Sequence, residues 1–143
     1  MPYGYLSNIQ SKAKQFCKDN NGQLLEFGAK NEIGLNAIEQ RTKNVIKLLG
    51  AEPDYIYCAV GSGTLINGIH RGTTKSKIIG VSVGKEFTDK LSQRVQIIKY
   101  DRSFDKEARI KPPFQSCENY DAKVWEVLIK KKPSGKILFW NVL

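Results

Sequence analysis

Histidine is almost missing from this chain: His70 is the only one. Cysteine is scarce as well, with Cys17, Cys58 and Cys117 far apart and no CxxC pair. A zinc site needs clustered ligands and a disulfide framework needs an even set of thiols, so neither is expected. A Ser-His-Asp or Cys-His arrangement would depend on His70, which has no motif around it and reads as a residue near a helix end. No stretch approaches 18 uninterrupted apolar residues, so no membrane-spanning helix is expected. The opening MPYGYLSNIQSK lacks the basic flank and apolar core of a signal peptide. Together with the odd, scattered thiols, this points to reduced cysteines in a cytoplasm.

What is present is globular. The chain has 143 residues, 41% hydrophobic and 10% aromatic, which suits one domain (residues 1–143) with a real core. Its net charge is +9, from 23 Lys+Arg against 14 Asp+Glu. Such an excess can serve nucleic acid, an anionic membrane surface or small anionic ligands. The lysines are spread, however, and the densest run, Lys130, Lys131 and Lys132, stands where a helix should end. A cationic last turn complements the helix dipole, which is the preferred reading over a nucleic-acid patch.

Helices and strands alternate along the chain. Apolar spacing predicts a helix over 5–17, with Leu6, Ile9, Ala13 and Phe16 near one face. GQLLEFG (22–28) reads as a short strand closed by glycine, and the following long helix can be capped by Asn31 and stopped by Gly50. Strands are then expected at 55–60, 77–83 and 95–100, and a helix follows the first of them up to about residue 70. A polar, proline-containing loop, a helix at 120–132 and a final apolar strand at 135–142 complete the chain. Trp125, Trp140, Tyr57 and Phe139 sit in apolar patterns and read as core. Nearly continuous apolar strands separated by helices predict an α/β three-layer sandwich with a mostly parallel sheet.

The stretch YIYCAVGSGTLINGIHRG carries the chemistry. A buried strand stops at Val60, and Gly61, Ser62, Gly63 and Thr64 lead straight into a helix. In an open parallel sheet, ligands sit beyond the carboxyl ends of the strands. A helix beginning there presents unpaired N–H groups and the positive end of its dipole, and glycine lets an anion approach the backbone. Ser62 and Thr64 can add hydroxyl donors, so the loop is suited to a phosphate. The alternative is a tight turn that needs glycine only for its geometry. A dinucleotide fingerprint is not met: Gly68 comes two positions late, and Val81, Ser82 and Val83 stand where a ribose-binding carboxylate belongs. No lysine follows Gly63, so a P-loop is not met either. A lone phosphate on a smaller cofactor remains.

DYIYCAVGSGTLINGI, followed by KIIGVSV, resembles the cofactor-phosphate region of fold-type II pyridoxal-phosphate-dependent enzymes. The nearest branch is that of 1-aminocyclopropane-1-carboxylate deaminase and D-cysteine desulfhydrase. LLEFGAKNEIGLNAIEQ resembles the segment before that region, and PPFQSCENYDAKVWEVL with KILFWNVL resembles the closing section. The resemblance implies a tryptophan synthase beta-like fold, present here as the carboxyl-terminal, large-domain part. It implies that Gly61, Ser62, Gly63 and Thr64 cradle the phosphate of pyridoxal 5'-phosphate. It further implies that Tyr120 packs against the pyridine ring and Asp121 lies near the pyridine nitrogen, keeping it protonated and the ring a strong electron sink. Asn31 would lie near the substrate end. Read without the resemblance, Tyr120 and Asp121 are an aromatic and an acid opening a helix, where an acid suits the dipole.

Three departures accompany the likeness. The loop reads Gly-Ser-Gly-Thr, one glycine short of the usual form, and Ala122 replaces a glycine after Tyr120 and Asp121. The family's Schiff-base lysine has no counterpart; Lys30 and Lys85 are the lysines nearest the loop in sequence, and neither sits in the family's motif. The expectation is therefore a deaminase- or desulfhydrase-like lyase acting on a small amino acid, incomplete alone, with no catalytic residue assigned. It would work as a homodimer or with a chain that supplies the missing half. The alternatives are a phosphate- or cofactor-binding module without turnover, and a basic interaction protein on an inherited scaffold.

Overall fold

Two apolar runs, 56–60 and 78–83, supply the centre of the molecule, because alternate side chains of a strand face opposite layers. The computed structural model describes residues 6–84 and 87–142. Its elements are α1 (Leu6–Asp19), a 3-10 turn (Phe27–Ala29), α2 (Glu32–Leu49), β1 (Tyr55–Val60), α3 (Thr64–Arg71), β2 (Lys77–Ser82), β3 (Val95–Lys99), α4 (Asp121–Lys131) and β4 (Ile137–Phe139). The four strands form one all-parallel sheet in the order β3-β2-β1-β4, with Tyr55 opposite Lys77 and Tyr57 opposite Phe139.

Both faces of the sheet are covered, as expected for parallel strands. Ile56, Cys58 and Val60 of β1 meet Ile66 and Ile69 of α3 on one face. Tyr57 and Ala59 meet Val124 of α4 on the other, with Val127, Leu128 and Phe139 packed around them. Each aliphatic side chain buried in this way contributes about 1.5–3 kcal/mol. α2 packs mainly on α3. A Cβ added to Gly68 would lie 2.5 Å from the Cβ of Ile38, so glycine is what lets the two helices approach. α2 starts and stops where its sequence predicts. The Asn31 side chain accepts the Gly34 amide at 2.9 Å, and Gly50 takes the left-handed conformation (φ 75) at the far end.

The predicted strand at 22–28 does not form. Residues 22–26 are irregular, and Phe27–Ala29 makes a 3-10 turn in which Gly28 has φ 71 and Ala29 φ 47, values no strand can hold. Leu25 and Phe27 are exposed there, so no layer receives an alternating pattern. The last strand is shorter than expected, although Trp140 still donates its amide to the Tyr57 carbonyl at 2.8 Å. Tyr5, where the first helix was expected to begin, lies outside the described residues, as does Lys85. Among the described residues, no helix is long and apolar enough to cross a membrane.

The order of the strands places the candidate site. From β1 the chain moves through α3 to β2 and then β3; it then passes through α4 on the opposite face and adds β4 on the far side of β1. The connections thus diverge around β1, and the crevice beyond the carboxyl ends there is a topological switch point.

Candidate functional site

The glycine loop closes this crevice. Gly63 caps α3 with φ 87 and ψ −5, a left-handed geometry that a side chain would strain. In the turn before the helix, the hydroxyls of Ser62 and Thr64 are 3.0 Å apart, and the Thr64 amide reaches the Ser62 Oγ at 3.4 Å. The first-turn amides of α3 have no acceptor within the helix, and the helix dipole adds positive potential to them.

Three groups press on the loop. A Cβ on Gly28 would lie 2.3 Å from the Ser62 Oγ, one on Gly61 2.9 Å from the Tyr120 hydroxyl, and one on Gly63 2.4 Å from the Phe87 ring. Glycine at these positions therefore serves packing as well as turn geometry. On the Phe87 side, Asn67 donates to the Gly63 carbonyl at 2.8 Å and to the Asp89 carboxylate at 3.3 Å. Asp89 in turn pairs with Lys30 at 3.1 Å. Residues 87–89 consequently strap that side of the loop.

The other side is open. A cleft of about 420 Å³ is walled by Gly28, Ala37, Ile38 and Arg41 from the turn and α2, by Ser62, Thr64 and Leu65 from the loop and α3, and by Tyr120, Trp140 and Val142. Donors thus meet flat and apolar surfaces in one space. A larger hollow of about 640 Å³ lies at the amino ends of the strands, beside Tyr55 and Lys77. There the Glu52 carboxylate accepts the amides of Thr74, Lys75 and Ser76 at 2.8, 2.8 and 2.9 Å. Burial raises its pKa, but these bonds outweigh burial and hold it at about 2. That hollow has its own anion and sits at the wrong end of a parallel sheet for a ligand.

The structure brings together some of the residues singled out in the sequence and separates others. Ser62, Thr64 and Tyr120 share the cleft, and Gly61 and Gly63 form the turn behind it. Burial, followed by the neighbouring Asp121, pushes the Tyr120 phenol up, so it stays protonated and can donate. Asp121 opens α4 but is fully buried outside the cleft wall, where it accepts the Val142 amide at 3.1 Å. Burial pushes its carboxyl up to about 6, against the pull of that amide. Asn31 is engaged in capping α2 and lies outside the wall, as does Lys30.

His70 is half-buried and 2.9 Å from the Ser92 hydroxyl; burial and then Arg94 lower its pKa. Cys58 is wholly buried, and burial pushes its thiol up to about 12, so it is no nucleophile at neutral pH. Trp125 is half-buried, with its ring 5.2 Å from Phe114 and 5.7 Å from Phe139. Trp140 is half-buried as well; it packs against the core on the α3 face of the sheet, as expected, and also lines the cleft.

Arg41 and Trp140 are the site residues that sequence reasoning missed. Arg41 lies inside an ordinary helical run, and no local spacing marks which side of α2 faces the loop. The residues present suit a phosphate monoester: neutral donors at one end, one cation, and a flat wall. They suit the ring end of pyridoxal phosphate less well, because the Asp121 carboxylate lies outside the cleft. Comparison of the chain with models of known protein families, with curated proteins and with solved structures finds no match.

Proposed function

We propose that this chain is the cofactor-phosphate-holding domain of a pyridoxal-phosphate-dependent enzyme with a tryptophan synthase beta-like fold. Its reaction would be a deamination or desulfhydration of a small amino acid, carried out as a homodimer or with a second chain that supplies the reactive amine. One observation carries the proposal. Ser62 and Thr64 after β1, and Tyr120 at the start of α4, line one cleft at the switch point of a parallel sheet. Their order along the chain is that of the resembling enzymes.

Pyridoxal phosphate bound there would supply the electron sink for a carbanion at the substrate's α-carbon. The chain's own residues do the holding. The first-turn amides of α3 and the Ser62 and Thr64 hydroxyls take the phosphate oxygens, and Tyr120 donates from its protonated phenol at the edge of the cleft. Trp140, Ile38 and Leu65 offer the cofactor an apolar side. Asp121 keeps a proton to about pH 6 one residue along α4. Lys30 is paired with Asp89, so no proton transfer is assigned to it.

A second reading, binding without turnover, is favoured by the composition of the cleft wall, which contains Arg41 and no lysine among the described residues.

The test is a titration of the purified chain with pyridoxal phosphate and with pyridoxal, followed by tryptophan fluorescence. Mass spectrometry after borohydride reduction accompanies it. Saturable quenching is expected, with pyridoxal at least about tenfold weaker because it lacks the charge-assisted phosphate bonds. Ser62→Ala should weaken only the phosphorylated form. No covalent adduct is expected. An adduct on a lysine of this chain would make it an enzyme by itself, and equal binding of the two compounds would refute the phosphate cradle.

A further inference from the structure

We propose that Arg41 makes this cleft a receptor for the dianionic phosphate monoester of a flat ring, in preference to a monoanionic diester or a carboxylate; the inference rests on reading the cleft as a phosphate site. The donors of the glycine loop are amides and hydroxyls. They are neutral dipoles, so they separate one negative charge from two less sharply than a full cation at the same distance does. Arg41 differs in kind. It lines the same cleft as Ser62 and Thr64, from α2.

Among the described residues its guanidinium makes no ion pair and no hydrogen bond. The two acids on its own helix are engaged elsewhere: Glu32 holds Arg71 at 2.8 Å, and Glu39 holds Lys43 at 2.5 Å. A full positive charge therefore borders the cleft with no acid of α2 left over to balance it. A guanidinium stays charged at any working pH, and its planar fork meets two phosphate oxygens at once. Bordering the same cleft, it is available to an anion held by the loop. The remaining walls, chiefly Trp140 and Leu65, suit a flat apolar body and offer no further charge.

Three probes that share one ring separate the possibilities: phenyl phosphate (a dianion), methyl phenyl phosphate (a monoanion) and benzoate. Affinities are read by calorimetry and tryptophan fluorescence for the wild type, Arg41→Gln and Arg41→Lys. Arg41 is exposed on a helix surface, so both variants should fold, which circular dichroism checks. The wild type should prefer phenyl phosphate by about tenfold or more: all three probes can accept the fork, but only the dianion brings a second negative charge to the guanidinium and a third terminal oxygen to the loop donors. Arg41→Gln should collapse that preference to below about threefold, and Arg41→Lys should keep part of it, having the charge without the fork.

Phenyl phosphate binding that is unchanged in Arg41→Gln overturns the inference. If pyridoxal phosphate still binds in that case, the cofactor reading survives alone. Arg41-dependent binding of phenyl phosphate, with pyridoxal phosphate no tighter, supports the inference and overturns the cofactor reading. Failure of the wild type to bind any phosphate ester overturns both.

Discussion

Replacing Glu126 by glutamine tests how α4, and with it Tyr120, is held at the cleft. Glu126 is fully buried, and its carboxylate accepts the Tyr100 hydroxyl at 2.6 Å, the Arg109 amide at 2.8 Å and the Lys130 ammonium at 2.5 Å. The Arg109 guanidinium adds a contact at 3.2 Å. Burial alone would raise the pKa of this acid. The bonds from Lys130, Tyr100 and Arg109 more than reverse that and hold it at about 2, against an ordinary 4.5. That difference corresponds to roughly 3 kcal/mol in favour of the folded, ionised state. Lys130 and Arg109 are 56% and 46% exposed, so solvent screens part of the attraction, and about 2 kcal/mol is the expected loss.

The sign with pH follows from the depressed folded pKa. The stabilisation is fully present above the unfolded value of 4.5 and disappears as pH falls towards about 2. Urea unfolding of the wild type and Glu126→Gln, followed by tryptophan fluorescence, should show a constant gap from about pH 6 to 8 and less than about half of it at pH 3. In the variant, the Tyr100 phenol should fall below the value of about 12 to which burial and then Glu126 raise it. A gap below about 0.5 kcal/mol at pH 7, or one equally large at pH 3, would refute the reasoning.

Two further substitutions probe the packing around the site. Asp121→Asn should stabilise the fold at pH 7 by about 2 kcal/mol, because burial raises this carboxyl from 3.8 to about 6 and ionising it opposes folding. The gain should shrink to a small part of that by pH 4, and a loss of stability at pH 7 would show that the charge is wanted there. Gly68→Ala should cost about 1–3 kcal/mol, read as a lower thermal midpoint, since the new Cβ would come within 2.5 Å of Ile38 and outweigh alanine's better helix propensity. A neutral result would mean that α2 and α3 stand further apart than the structure has them.

Local chemistry determined much of this protein. Asn31 and Gly50 set the ends of α2, because capping depends on a few neighbouring residues. The continuous apolar runs of β1 and β2 announced strands covered on both faces, and the Gly61–Thr64 turn was legible as the end of one strand and the start of a helix. What depends on partners distant in sequence was not legible. LLEF alternates poorly and has no neighbouring strand to pair with, so it stays irregular and ends in the turn whose Gly28 abuts Ser62.

Placing β4 beside β1 rather than beside β3 is a tertiary decision. That decision makes Trp140, packed on the core, also a wall of the cleft, and it sets Val142 over Asp121, whose carboxylate then stays out of the cleft. Arg41 could not be told from its neighbours on α2 until the packing of α2 on α3 fixed which side of the helix borders the glycine loop. Helix ends and buried strands are decided by near neighbours in the chain. Which walls enclose a cleft is decided by segments that meet only when the sheet is complete, so the chain's sequence specified the loop and its fold specified the site.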